Sequence, residues 1–146
     1  MKNKKYPKRD PIKDYFPLPN EIFYLGLSYG EIAVYSYLLY RENRKSFQCY
    51  PSYKTIGKAL NMSRNTVCKY VRQLEEKELI DTEPTNIHTA KGEKRNGNLL
   101  YTILPIEKAK KYFHEQQLSN LDRTIAKDKL RKRLEKLNPK PDKRAV

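Results

Sequence analysis

The sequence predicts a mainly α fold with a small β-hairpin, set between a basic N-terminal arm and a basic helical C-terminal extension. Three observations predict it. Residues 50–80 hold two apolar-periodic segments separated by a tight polar turn; residues 79–82 and 99–104 are β-prone runs flanking a glycine-containing stretch; and 146 residues suffice for one core but not two. The boundaries that follow are an arm over 1–14, a domain over 15–105 and an extension over 106–146.

The first twenty residues set Lys2, Lys4, Lys5, Lys8, Arg9 and Lys13 against Asp10 and Asp14, with Pro7, Pro11, Pro17 and Pro19 excluding regular structure over most of the stretch. Such an arm is either disordered or laid along a surface. The sharper reading gives Lys4, Lys5, Lys8 and Arg9 to the minor groove of DNA. Tyr15, Phe16, Leu18, Ile22 and Phe23 are too apolar for free solution, so the chain is expected to pack down from Tyr15 onward.

Ser28 and Glu31 have the spacing of a capping box, which starts a helix running to about Asn43. From Ile32 to Tyr40 every residue but Ser36 is apolar or aromatic, more than one stripe requires. Either the N-terminal segment or a second subunit is expected to cover the excess. Residues 47–50 are β-prone, and Pro51 suits the start of the next helix.

Ser52 can cap a helix whose Ile56, Ala59 and Leu60 share one face, and Asn61 tolerates the left-handed conformation a turn needs. Ser63 then caps a longer helix with Val67, Val71 and Leu74 as its apolar stripe. Two helices joined this closely make a helix-turn-helix. From 52 to 73 there are five basic residues, Lys54, Lys58, Arg64, Lys69 and Arg72, and no acidic one; Glu75, Glu76, Glu78, Asp81 and Glu83 follow at once. Off the stripe of the second helix lie Arg64, Asn65, Cys68, Lys69 and Arg72, and its first turn offers Ser63, Arg64, Asn65 and Thr66 to phosphates and base edges. The first helix offers Ser52, Tyr53, Lys54 and Lys58 to the backbone. An ordinary solvated helix is the plainer alternative, but the absence of acid across both helices of a basic protein favours DNA.

The strand pair 79–82 and 99–104 frames a long hairpin whose basic tip contains Lys91, Lys94, Arg95 and Asn96, and His88 on it reads as solvated or phosphate-facing, not as a metal ligand. Residues 107–117 then read as a helix docking through Ala109, Tyr112 and Phe113. A second helical run carries Leu118, Leu121, Ile125, Leu130, Leu134 and Leu137, with a break of the heptad between Ile125 and Leu130. Residues 106–146 hold 13 basic and 6 acidic side chains, so the extension can add non-specific attraction to DNA. Residues 138–141 are expected to end the helix and the last residues to be disordered.

The stretch PSYKTIGKALNMSRNTVCKYVRQLEEKELI is similar to the winged helix-turn-helix domains of bacterial small regulators and of the N-terminal domains of plasmid and phage replication initiators. PLPNEIFYLGLSYGEIAVYSYLLYREN resembles the segment preceding the motif in the initiator group. The resemblance spans about Phe16 to Leu104 and implies DNA binding, with Ser63, Arg64, Asn65 and Thr66 at the start of the recognition helix, Lys69 and Arg72 facing the groove, and Lys94 and Arg95 on the wing. Two positions depart from the pattern: Glu78 stands where a glycine is common, and Cys68 where one regulator family often has a basic residue.

A net charge of +14 makes a polyanion the first expected partner and an acidic membrane surface a distant second. No run reaches the roughly 20 apolar residues of a spanning helix, and the N-terminal lysines lack a signal peptide's apolar segment, so a cytoplasmic location is expected. Cys49 and Cys68 lack zinc-site spacing and should stay unpaired. With only 5 glycines, no phosphate-cradling loop and no His and Cys cluster, the sequence indicates no enzyme, cofactor, metal or small-molecule ligand. The expected function is sequence-specific binding of double-stranded DNA by a transcription regulator or replication-initiation factor of a mobile element. A homodimer is expected, using Tyr35, Tyr37, Leu38 and Tyr40 with Leu130, Leu134 and Leu137. The alternatives are a protein-interaction adaptor with an incidental basic surface, and a tyrosine-dependent strand-transfer enzyme lacking its usual basic constellation.

Overall fold

The computed structural model describes residues 3–139 and 141. The expectations for the extreme N-terminus and for disorder after the C-terminal helix fall partly on residues 1, 2, 140 and 142–146, outside the described residues. The chain forms α1 (Tyr29–Arg41), β1 (Gln48–Cys49), α2 (Tyr53–Leu60), α3 (Arg64–Glu76), β2 (Ile80–Glu83), β3 (Asn86–His88), β4 (Lys94–Asn96), β5 (Leu100–Ile103) and α4 (Ile106–Leu137). A short 3-10 turn, Asn20–Phe23, precedes α1.

The helix limits follow from local chemistry. Ser28, Ser52 and Ser63 each accept a hydrogen bond from the backbone N–H three residues on, at Glu31, Thr55 and Thr66. Asn61 ends α2 with φ of 54°, the left-handed conformation that releases the chain into the turn. The first capping box is only half made. Glu31 does not reach back to Ser28; its carboxylate is buried and takes both oxygens to Lys77 Nζ instead, at 2.8 and 3.0 Å.

The core lies where α1, α2 and α3 meet the sheet, with Val34, Leu38, Ile56, Val67, Leu74 and Tyr101 wholly buried. Gly30 brings α1 against α3, since a Cβ there would stand 2.1 Å from the Tyr70 ring. Tyr35 and Leu38 belong to this core, so half of the α1 surface expected to pair with a second subunit is already used. Phe16 packs on Tyr40 with ring centroids 5.8 Å apart, as the intramolecular alternative required. Within the N-terminal segment Ile22 is buried but Phe23 points to solvent, because the tight turn presents only one side to the domain. Ala59 is likewise exposed, and Ile56 and Gly57 form the inner face of α2.

The expected two-stranded hairpin is part of a three-stranded antiparallel sheet in the order β1-β5-β2. Gln48 pairs with Thr102 and Cys49 with Tyr101, and Ile80 pairs with Ile103 through to Glu83 with Leu100. Beyond Glu83 and Leu100 the hairpin continues as a separate ribbon, β3 with β4. Helix, helix-turn-helix and hairpin in this order make a winged helix-turn-helix.

The extension is one continuous 32-residue helix, not two runs. Nothing in residues 117–119 interrupts the helical hydrogen bonding. Ala109 is buried against the domain and Phe113 is half-buried, whereas Leu118, Leu121, Ile125, Leu130, Leu134 and Leu137 are all exposed. At about 100° per residue the first three of these leucine and isoleucine positions lie roughly 150° around the axis from the last three. The five-residue step after Ile125 therefore splits the apolar surface into two separate stripes.

Candidate nucleic-acid interface

The second helix of the motif, α3, divides cleanly by side. Val67, Tyr70, Val71 and Leu74 are buried, Asn65, Lys69 and Arg72 are exposed on the opposite side, and Arg64 is exposed at the first position of the helix. Among the described residues, neither these cations nor Lys54 and Lys58 form an ion pair. Lys69 lies with its ammonium 4.9 Å from the centroid of the Tyr70 ring.

Five predicted contact residues, Ser52, Tyr53, Ser63, Thr66 and Cys68, also have structural work, of which the sequence reading assigned only the capping by Ser52 and Ser63. Ser63 Oγ accepts from Thr66 N at 3.2 Å and exchanges a 2.8 Å hydrogen bond with the Thr66 hydroxyl, so both side chains are engaged in the cap. Ser52 and Thr55 repeat the arrangement at 3.1 and 2.9 Å. Cys68 is half-buried and faces α2, not the exposed side of α3. Burial, and then the Cys68 thiol that shares a hydrogen bond with it, pushes the Tyr53 phenol above its ordinary range. The pair is a seam between the two helices.

Lys54 and Lys58 stand one turn apart on α2 and, with Arg64, line one side of an open groove of about 820 Å3. Ser52, Tyr53, Gly57, Asn61 and Met62 also line it, and the far side is the wing root, Gly97 to Leu99, with Tyr101. No acidic side chain lines this groove. Sequence reasoning missed the residues that fix its width. Asn98 Nδ2 donates to the Tyr50 carbonyl at 3.1 Å, tying the wing root to the start of α2. Gly97 N donates to the Thr85 carbonyl at 2.7 Å, and a Cβ at Gly97 would stand 2.5 Å from Thr85 Oγ1. The one signal in the sequence was the Asn-Gly-Asn run at 96–98, a turn-rich composition that does not reveal a partner 48 residues away.

The ribbon itself is fully solvent-facing. His88 pairs with Lys94, Ile87 with Arg95 and Asn86 with Asn96, and the tip turns at Gly92 with φ of 78°. Lys91, Lys94 and Asn96 are exposed, and Arg95 makes a 3.5 Å surface ion pair with Glu93. Such an exposed pair costs little to open. The arm residues Lys4, Lys5, Lys8 and Arg9 are exposed and without regular structure. Among the described residues no hydrogen bond or ion pair joins them to α2, α3 or the wing, and none of them lines the groove.

Among the described residues no group of His, Cys, Asp and Glu is arranged to hold a metal ion, and no helix is long and apolar enough to cross a membrane. The tyrosines at the centre of the fold are poor nucleophiles. Burial, with Glu42 and Glu21 adding to it, raises Tyr35 to about 12, and burial raises Tyr101 further still.

Residues 25–80 match the family model described as a helix-turn-helix domain. No curated protein matches the chain. Among solved structures, a possible transcriptional regulator from Methanosarcina mazei Go1 is similar at 21% identity and a TM-score of 0.50, covering 72% of this chain and 79% of that one. A MarR family transcription regulator is similar at 17% identity and a TM-score of 0.42, with 79% and 74% covered. The S. aureus MepR–DNA complex is similar at 20% identity and a TM-score of 0.37, with 80% and 82% covered.

Proposed function

We propose, taking the winged helix-turn-helix domain as premise, that the protein binds double-stranded DNA with α3 in the major groove and the acid-free groove between α2 and the wing root along a phosphate backbone. The observation that carries this reading is the sidedness of α3: a buried apolar stripe backed by exposed Asn65, Lys69 and Arg72, with Arg64 exposed at the first position. Arg64 and Asn65 are in the first turn, where fork-shaped donors and free backbone N–H groups meet base edges and phosphates. Lys54, Lys58, Lys91, Lys94 and Arg95 supply charge to the backbone on either side, and the arm through Lys4, Lys5, Lys8 and Arg9 adds sequence-independent attraction.

The role supported best is control of transcription, in keeping with the description of the Methanosarcina protein that shares the fold. Replication initiation on a mobile element is the second reading, supported by the likeness of residues 17–43 to the segment preceding the motif in initiators. The protein acts by binding and not by chemistry. A homodimer, held by the exposed apolar positions of α4 and not by α1, places two recognition helices on inverted half-sites.

Selection from a random duplex pool followed by substitution tests the specificity. Arg64→Ala and Asn65→Ala should each cost about 1–3 kcal/mol of discrimination between the selected site and random duplex. Lys54→Ala and Lys58→Ala should weaken both alike. Equal losses on selected and random duplex from all four changes would remove direct readout by α3.

A further inference from the structure

A second surface with nucleic-acid chemistry lies at the end of the sheet away from the wing. β5 meets the wing at Leu100, paired with Glu83, and at its other end Ile103 N donates to the Phe47 carbonyl at 2.8 Å. The turn joining α1 to β1 therefore sits at the sheet end opposite the wing. It is a tight turn, with Asn43 Oδ1 accepting from Lys45 N at 2.9 Å and Phe47 N donating to the Asn43 carbonyl at 2.7 Å, and it projects Arg44 and Lys45 into solvent. The last turns of α1 lead straight into it. There Phe16, Tyr40 and Tyr37 form a contiguous row, with centroids 5.8 and 6.1 Å apart and planes inclined by 56° and 50°. Phe16 is 38% exposed and Tyr40 60%, so packing the N-terminal segment down leaves ring surface open to solvent. Arg41 follows Tyr40 and is exposed as well.

We propose that Phe16 and Tyr40, backed by Tyr37 and followed in the chain by the exposed Arg41, Arg44 and Lys45, bind single-stranded nucleic acid by stacking unpaired bases on the rings and holding the phosphates with the cations. Unpaired bases present the π-faces that a duplex hides, and aromatic rings interleaved with cations are the complement of such a strand. Phe16 and Tyr40 offer open ring surface for one or two bases, and Tyr37, half-buried against the core, backs them. Among the described residues Arg41, Arg44 and Lys45 form no ion pair. The acids in the same spans are Asp14 and Glu42, and burial pushes the Glu42 carboxyl above the usual carboxylate range, with Arg44 opposing. Because this surface is separate from α3 and the wing, the protein can hold a single strand and a duplex at once.

Fluorescence anisotropy on the full chain, with labelled oligothymidylate and labelled duplex measured side by side, tests this. Phe16→Leu with Tyr40→Leu keeps the apolar contact and removes the rings; it should weaken oligothymidylate binding at least tenfold, on the order of one lost stacking interaction, with duplex binding unchanged. Arg44→Ala with Lys45→Ala should weaken the same strand and flatten its salt dependence. Circular dichroism and the thermal midpoint of each variant confirm that it is folded. The proposal is overturned if the protein does not bind oligothymidylate at low salt, if the ring variant binds it as well as the parent, if Arg64→Ala with Lys69→Ala removes single-strand binding while the ring variant does not, or if light scattering shows a dimer that the ring variant loses. Loss of duplex binding alone, with oligothymidylate binding kept, would remove the earlier reading and leave this one standing.

Discussion

Lys77, the residue that ends α3, places its ammonium 2.8 and 3.0 Å from the two carboxylate oxygens of Glu31 in the first turn of α1. Glu31 is buried, and the N-terminal end of α1 favours its negative charge. The pair pins the end of α3 to α1. Removing only the cation strands a buried carboxylate, a loss of about 3 kcal/mol when no water reaches it. Lys77 is partly solvated, so Lys77→Ala should cost about 2 kcal/mol in urea unfolding, and Glu31→Gln with Lys77→Met together should cost less. A loss for Lys77→Ala within about 0.5 kcal/mol of zero would mean that the pair holds nothing.

The turn of the motif depends on Gly57. A Cβ there would stand 2.5 Å from the Met62 carbonyl oxygen, and Met62 N donates back to the Gly57 carbonyl at 2.9 Å. Gly57→Ala should therefore destabilise by more than about 2 kcal/mol, although alanine is the better helix former by about 1 kcal/mol. Glu78 is the opposite case. It holds φ of 58° where a glycine costs nothing, so Glu78→Gly should raise stability by up to about 1 kcal/mol. Thermal midpoints moving in the reverse directions would contradict both assignments.

Much of this was legible because it is local. Ser52, Asn61 and Ser63 mark the helix limits by chemistry that acts within one turn of chain, and the charge segregation around α3 is a property of sequence order alone. Glu78 was visible as a departure from a common glycine, and the left-handed backbone there gives the departure its meaning. What was not legible depends on partners far along the chain. β1 is two residues long and exists through Thr102 and Tyr101. Glu31 satisfies a capping pattern yet prefers a lysine 46 residues away. Ala59 and Phe23 fit apolar spacings whose buried side is decided by the angle at which each turn meets the core. The wing root escaped notice because Asn98 acts through a backbone carbonyl, which has no sequence signature.

Three buried acids set the alkaline limit of the fold. Burial raises the Cys49 thiol from 9.0 to about 11 and the Tyr35 phenol from 10.0 to about 12, and lifts Tyr101 as well. Each folded-state pKa lies above its unfolded value, so the unfolded chain loses its protons first. Their contribution is whole below about pH 9 and disappears as the pH climbs through about 11 to 12. Urea midpoints should be flat from pH 7 to about 9 and fall steeply above it; Tyr35→Phe should reduce the slope. A midpoint constant to pH 12 would contradict the burial of these groups.

Assembly is expected to reside in α4, whose exposed leucines have no partner within the described chain, and not in α1, whose Tyr35 and Leu38 are core. Light scattering at micromolar concentration should give a dimer for the full chain and a monomer for a chain ending at Glu115. A monomer in both, with and without DNA, would remove the dimer. A dimer in both would move the interface into the domain.

Salt titration of duplex binding bears most directly on the central claim, that the basic face built from α2, α3 and the wing, with an acid-free groove between α2 and the wing root, engages DNA through its phosphates. With several of Lys54, Lys58, Arg64, Lys69, Arg72, Lys94 and Arg95 neutralising phosphates, log Kd should rise linearly with log salt, and affinity should fall by about three orders of magnitude between 50 and 200 mM. Lys54→Ala should lower the slope by about 1. A salt-independent affinity, or no duplex binding at the lowest salt, would contradict the account.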